Sequence, residues 1–420
     1  MKEPLFDADQ MPLLWRLGPS EQEHAQALAE LLALEDGATV VLIGNAGPEL
    51  AQLLPQFNWC DGEGLEPGQA DAVVLVYAMC FDPIEQLRRA RQLLAMGGTL
   101  VMQELFVDGL SSQVAARELL GIELHDRQAV ELWAELEGFS LRLVLDELYR
   151  APGARLDAAM PVLAQLGHST SVWRKTSERG QLDDRAALQF SGGKDSLACL
   201  LLCLPYVGKQ GRASTYWMCT GDTLPETLEV VLWATRVVGS LVVVQSDVKA
   251  WRAKHGMPVD VVPAESSFLG MVHGLGRVAM TGRFDCCWFN LMAPMHQRML
   301  SDGVQAVIRG TKLADTPKQP GRDDVPYQVI LPVDGWSHAE VLDYLERWAP
   351  FKNKLYELPG VESAPECLGC TAWWGDGKAQ YFKAKSPERL GEYVASLQLV
   401  REELQRSMRV LDAEIKECET

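Results

Sequence analysis

At 420 residues the chain is too long for one ordinary hydrophobic core, so two or three domains are expected. Its 47% hydrophobic and 23% charged residues give a globular profile, and runs such as Ala72–Met79 are far too short to cross a bilayer. The opening Met1-Lys2-Glu3-Pro4 leads into mixed polar sequence rather than a secretory signal, so a cytoplasmic protein with no membrane partner is expected. The net charge of −18 is uneven, with −16 in residues 1–170 and −2 in residues 171–420. An acidic surface repels phosphate backbones, but here the repulsion is confined to the first part, which leaves a nucleic-acid acceptor open.

In chain order, residues 20–36 pattern as an amphipathic helix with Leu28, Leu31 and Leu32 on one face. Ala38–Ile43 is a β-branched buried strand, and Gly44-Asn45-Ala46-Gly47 turns it into a helix. A strand over Asp71–Tyr77, a helix over Pro83–Leu94 and a strand over Thr99–Met102 after Gly97-Gly98 follow. Strands near Leu141–Leu145 and Leu148–Ala151 close this unit, and residues 152–185 pattern as a linker with a central helix. A second α/β unit starts at Arg185, with strands over Ala187–Phe190, Thr215–Cys219, Leu241–Gln245 and Ala306–Ile308. Helices are expected from Lys194 and over Pro225–Val238; Ser337-His338-Ala339-Glu340 is a capping box, and residues 386–418 form a long charged helix. Alternating strands and helices predict an α/β fold with two doubly wound parallel-sheet domains, over residues 1–165 and 166–385, and a helical tail over 386–420.

The chemistry concentrates first at Phe190-Ser191-Gly192-Gly193-Lys194-Asp195-Ser196. Two glycines between a strand and a helix let backbone N–H groups approach phosphate oxygens, and the helix N-terminus adds partial positive charge. Ser191 and Ser196 can donate hydroxyls, Lys194 can offset phosphate charge, and Asp195 could help hold Mg²⁺. The Walker spacing is absent. The string resembles the signature of the PP-loop ATP pyrophosphatases, which cleave ATP to AMP and pyrophosphate. Thr220-Gly221 with Pro225-Glu226-Thr227 resembles a stretch of their PAPS reductase-like branch, although Cys219 stands where that pattern has Asp and Asp222 is offered as its substitute. Val307-Ile308-Arg309-Gly310-Thr311-Lys312 resembles the segment whose arginine meets anionic groups, which implies that role for Arg309.

Ten cysteines in a cytoplasmic chain point away from structural disulfides. Cys286-Cys287 and Cys367-Leu368-Gly369-Cys370, separated by 79 residues, suit a four-thiolate site for Zn²⁺ or a four-iron cluster. Four buried reduced thiols are the plain alternative. The pattern resembles the one that ligates [4Fe–4S] in assimilatory adenylyl-sulfate reductases, and so implies that cluster here. Cys418, in Lys416-Glu417-Cys418-Glu419-Thr420, resembles the nucleophile of their Glu-Cys-Gly tail, with a frayed terminal cysteine as the other reading.

The first domain, through Val40–Gly47, Asp71–Leu75 and Leu93–Val101, resembles a class I SAM-dependent methyltransferase. Only 27 residues separate Ile43 from Asp71, where that family needs a further strand–helix–strand and its ribose-holding acid. A degenerate domain that docks a protein partner is therefore expected. Together the resemblances imply an ATP-dependent adenylating enzyme in sulfur transfer or thio-modification, with [4Fe–4S], ATP and Mg²⁺ as cofactors. Its expected partners are an adenine nucleotide, an acceptor that is a small molecule or nucleic acid, and a sulfur donor or reductant protein. The alternatives are a sulfonucleotide reductase using Cys418 and a non-catalytic nucleotide- and cluster-binding subunit. Lys194, Asp195 and Cys418 are the expected catalytic residues. Ser191–Ser196, Thr220, Gly221 and Arg309 are expected to hold the nucleotide, and the four cysteines the metal.

Overall fold

The structure, a computed structural model, describes residues 21–44, 49–80, 82–120, 122–148, 166–182, 185–209, 211–312, 325–359, 361, 367–375 and 377–419. They divide into two compact units. The first holds the described residues within Met1–Asp184, with Leu201–Tyr206 and Asp343–Pro350; the second holds Arg185–Leu200, Val207–Leu342 and Phe351–Thr420.

The first unit is built on β1 (Thr39–Gly44), β2 (Asn58–Cys60), β3 (Ala70–Val76), β4 (Leu94–Phe106), β5 (Phe139–Leu148) and β6 (Gly167–Lys175). They form one sheet in the order β2-β1-β3-β4-β6-β5. The first four are parallel, and β6 runs antiparallel between β4 and β5. Ala72–Val76 of β3 is 0% exposed throughout, as a strand covered on both faces must be. The sequence over 152–185 is no simple linker, because β6 occupies part of it. No apolar pattern announces this strand, since its buried residues include Ser169, Thr170 and Ser171. Their burial is offset by hydrogen bonds: Trp173 Nε1 donates to Ser171 Oγ (2.8 Å), and Gln103 Nε2 donates to Thr170 Oγ1 (3.4 Å). The helix expected inside that linker and the continuation of β5 to Ala151 lie outside the described residues.

A charged cluster lies inside this unit. Glu137, 1% exposed, faces Arg91 (2.7 Å) and Arg88 (3.4 Å) and accepts a hydrogen bond from Tyr206 Oη (3.0 Å). Burial first, and then the Glu137 carboxylate, push the Tyr206 phenol well up from its usual range.

The second unit carries β7 (Ala186–Gln189), β8 (Ser214–Cys219), β9 (Val242–Gln245), a separate parallel pair β10 (Met257–Val259) and β11 (Met280–Gly282), then β12 (Ala306–Ile308) and β13 (Gln328–Ile330). Its main sheet is parallel in the order β13-β12-β7-β8-β9. The helix Pro225–Val238 has proline in its first turn and ends at Gly239 with φ +88°, a left-handed backbone that glycine adopts without a Cβ penalty. The capping box forms reciprocally: Glu340 N donates to Ser337 Oγ (3.2 Å) and Ser337 N to Glu340 Oε2 (2.6 Å). The long helix runs Pro387–Glu419. The chain is thus α/β with parallel sheets in both units and a helical C-terminal tail.

Candidate functional site

In the second unit the chain steps from β7 through β8 to β9 on one side, then returns to β12 and β13 on the other. The gap beyond the carboxyl ends of β7 and β12 is therefore its topological switch point, where open α/β sheets present a crevice. The loop Ser191–Gly193 leaves β7 there, and Arg309–Lys312 leaves β12 there. Fold topology alone brings these two sequence-distant segments together.

The loop is tightly shaped. Gly192 has φ +82°, and a Cβ on it would lie 2.8 Å from Thr227 Cγ2 and 3.2 Å from Thr227 O, so a larger residue is strained there. Asn353 Nδ2 donates to Gly192 O (3.2 Å) and to Thr227 Oγ1 (3.1 Å), bracing the turn. Ser196 Oγ donates to Gly193 O (3.0 Å), Gly193 N donates to Ser191 Oγ (3.3 Å), and Lys194 N donates to Tyr356 Oη (3.3 Å). Ser191, Gly193 and Ser196 thus hold one another in a preformed loop at the start of the helix Lys194–Leu202.

Lys194 and Lys312 are each only 4% exposed. Their ammonium groups converge on one carboxylate: Lys194 Nζ lies 2.6 Å from Asp195 Oδ2 and Lys312 Nζ 2.5 Å from Asp195 Oδ1. Two cations against one anion, at a helix N-terminus, leave a net positive site in a poorly solvated place. Burial lowers the Lys194 pKa from its usual value, Asp195 opposes that shift, and the Lys312 charge adds to it. Lys312 is the residue that sequence reasoning passed over. Its signal was present in Arg309-Gly310-Thr311-Lys312, but only the register of β12 beside β7 aims it at Asp195.

Arg309 stands at the end of β12. Its Nη2 donates to Tyr327 Oη (2.8 Å), which lies 3.1 Å from His296 Nδ1. Its Nε is buried and has no hydrogen-bond partner among the described residues. Such a group costs free energy unless an acceptor arrives.

Thr220 and Asp222, on either side of Gly221, are tied to the cysteine turn. Cys367 Sγ donates to Thr220 Oγ1 (3.7 Å), and Leu368 N donates to Asp222 O (2.8 Å). Asp222, 5% exposed, is engaged by Arg252 Nη1 (3.1 Å) and Gly369 N (2.8 Å). Asp222 is thus held in a buried clamp between the helix Val248–His255 and the Cys367–Cys370 turn.

Cys286, Cys367 and Cys370 pack in one buried cluster with Val248 and Ala372, flanked by Trp251 and Trp373. Burial raises the Cys286 thiol, against the pull of the Arg252 guanidinium. Cys287 follows Cys286 on one helix, where consecutive side chains diverge by about 100°, and it is half-buried outside that cluster. Among the described residues no group of three His, Cys, Asp or Glu is arranged to hold a metal ion. Two of the thiols are hydrogen-bonded: Asn290 Nδ2 donates to Cys286 Sγ (3.9 Å) and Cys370 Sγ to Ala372 O (3.8 Å). Cys418 is exposed in the last turn of the helix Pro387–Glu419, in none of these packed groups.

No protein-family model and no curated protein matches the chain. Solved structures similar to it include geranyl diphosphate C-methyltransferase from Streptomyces coelicolor A3(2), at 11% identity over 42% of this chain and 86% of that one, with a TM-score of 0.33. Phospholethanolamine N-methyltransferase 2 from Haemonchus contortus is 14% identical over 41% of this chain and 59% of that one, with a TM-score of 0.33. A putative sarcosine dimethylglycine methyltransferase from Galdieria sulphuraria is 11% identical over 37% and 85%, with a TM-score of 0.29. These are methyltransferases, and no PP-loop, adenylating or sulfonucleotide enzyme is among them. The expected ATP-dependent adenylating enzyme, its reductase and cluster-subunit alternatives and the sulfur-transfer role find no counterpart among these structures. A structure of the C-methyltransferase is in complex with Mg²⁺, geranyl-S-thiolodiphosphate and S-adenosyl-L-homocysteine, but the expected [4Fe–4S] cluster and ATP likewise have no counterpart there. The physical reason is that a short glycine loop specifies a backbone shape and a charge, whereas chemistry depends on the whole site built around it. No helix among the described residues is long and apolar enough to cross a membrane.

Proposed function

We propose that the second unit binds a phosphate-bearing small molecule, an adenine nucleotide among the candidates, at Ser191–Ser196. The observation that carries this reading is the convergence of two buried ammonium groups, Lys194 and Lys312, on Asp195 at a switch-point helix N-terminus. An entering phosphate would compete with the Asp195 carboxylate for both lysines, while the unpaired Arg309 Nε offers a further donor. Gly192 and Gly193 keep side chains out of its approach. Calorimetric titration with ADP and with pyrophosphate tests the reading. Lys312→Met is expected to weaken binding at least about ten-fold, in line with the loss of one charge-assisted contact, and Lys312→Arg to retain most of it. Equal affinity for the parent and the methionine variant would refute the assignment.

A second reading concerns the first unit and rests on its own topology. The chain passes from β1 to β2 on one side and then to β3 on the other, so the end of β1 is again a switch point. Gly44 sits there with φ +106°, and a Cβ on it would lie 2.2 Å from Val76 O. The segment between Ile43 and Asp71 is also not wholly lost: the helix Glu49–Leu53 and β2 lie in it, and exposed Asp61 follows β2. A strand-end acid beside a glycine turn can hold ribose hydroxyls. This supports binding of S-adenosylmethionine, with micromolar affinity and about a ten-fold loss in Asp61→Ala as the calorimetric expectation. Absence of heat at millimolar ligand would favour a docking domain instead.

A further inference from the structure

Four aromatic rings form a continuous ladder on the second unit, in the order Phe289, Trp251, His255, Phe268. Neighbouring centroids lie 6.1, 4.5 and 5.5 Å apart, with interplanar angles of 25°, 24° and 40°. Trp251 and His255 are four residues apart on the helix Val248–His255 and so share a face. Phe289 comes from the π-helical turn Trp288–Met292 and Phe268 from the short helix Phe268–Val272. The terminal rings are open to solvent, Phe289 at 56% and Phe268 at 46% exposed. A ring so exposed contributes little to the core, and folding gains almost nothing from leaving two of them at the ends of one stack.

The segment that carries the ladder has a local excess of basic residues, six Lys and Arg against three Asp and Glu over residues 248–298, within the nearly neutral part of the chain over 171–420. Lys249, whose ammonium lies 3.8 Å from Asp222 Oδ1, and Lys254 are both exposed on the same helix as the two central rings. A second stack stands beside the same thiol cluster: the Arg283 guanidinium lies 4.1 Å from the Trp373 ring centroid and 5.0 Å from that of Phe284, which is 49% exposed.

We propose that this ladder is a binding platform for single-stranded nucleic acid, with unpaired bases stacking on Phe289 and Phe268 and the backbone following Lys249 and Lys254. Flat rings accept any base, and flanking lysines neutralise phosphates. A duplex keeps its base faces covered and cannot use the rings. The inference does not depend on the phosphate loop, because none of its residues belongs to that site.

Fluorescence anisotropy of the full chain with a short labelled oligothymidylate tests it, beside the same sequence as a duplex and vesicles containing phosphatidylserine. The single strand is expected to bind at least about ten-fold more tightly than the duplex. Phe289→Ala is expected to weaken it about ten-fold and Phe289→Trp to restore it. Lys249→Ala and Lys254→Ala should each lower the slope of log affinity against log salt by about one. Phe289 is exposed, so its variants fold, and thermal melting verifies this. Equal binding of single strand and duplex, an unaffected Phe289→Ala, or binding to vesicles without binding to the oligonucleotide would overturn the proposal.

Discussion

Replacing Gly310 by alanine is expected to lower affinity for phosphate ligands by about two powers of ten, roughly 2.7 kcal/mol. The added Cβ would lie 2.6 Å from Asp195 C and from Ser196 N, and 2.7 Å from Asp195 O. These are backbone atoms of the helix that begins at Lys194, so no rotamer change relieves the overlap. Either the β12 exit or the helix start must shift. Both lysines are aimed from those two segments, so the Lys312–Asp195–Lys194 bridge opens with the shift. Overpacking of this kind costs about 1–3 kcal/mol of stability as well. Gly335 provides the control, since its Cβ would meet nothing within 4 Å. ADP titration and thermal unfolding of both variants measure the two effects. A Gly310→Ala protein that binds ADP like the parent would show that the two segments do not cooperate in the site.

The second large effect is expected at Glu137. Its truncation to alanine should destabilise the first unit by about 3–5 kcal/mol, because Arg91, only 5% exposed, would be left without the carboxylate 2.7 Å away. Arg88 and the Tyr206 hydroxyl lose the same acceptor. Glu137→Gln should fall between the two, since an amide oxygen still accepts hydrogen bonds but carries no charge. Urea unfolding followed by a probe in the first unit measures this, read as its own transition because two units need not unfold together. A loss below about 1 kcal/mol in the alanine variant would mean that water reaches the arginines.

The legible parts of the fold were those with a strong local cause. Pro225 and Gly239 bracket a helix by backbone geometry alone, and Ser337 with Glu340 closes a reciprocal cap. The apolar run of β3 announced a strand buried on both faces. β6 was illegible because hydrogen bonding, rather than apolar pattern, accounts for its buried serines and threonine. β2 was missed because three residues carry too little pattern to stand out.

At the site the same division holds. Local sequence suffices for the strand–glycine loop–helix at Ser191–Ser196, since two glycines and a helix start favour that backbone. The sequence also marked Cys286, Cys287, Cys367 and Cys370 as one group, of which Cys286, Cys367 and Cys370 pack in a single buried cluster. Long-range packing is what sets Lys312 against Asp195, Asp222 against Arg252 and Gly369, and Cys287 apart from the buried cluster of Cys286, Cys367 and Cys370. These depend on strand order and helix rotation, which bring together segments from 30 residues apart, for Asp222 and Arg252, to 117 for Asp195 and Lys312. Local sequence specifies a turn, but long-range packing specifies which charges face one another across it.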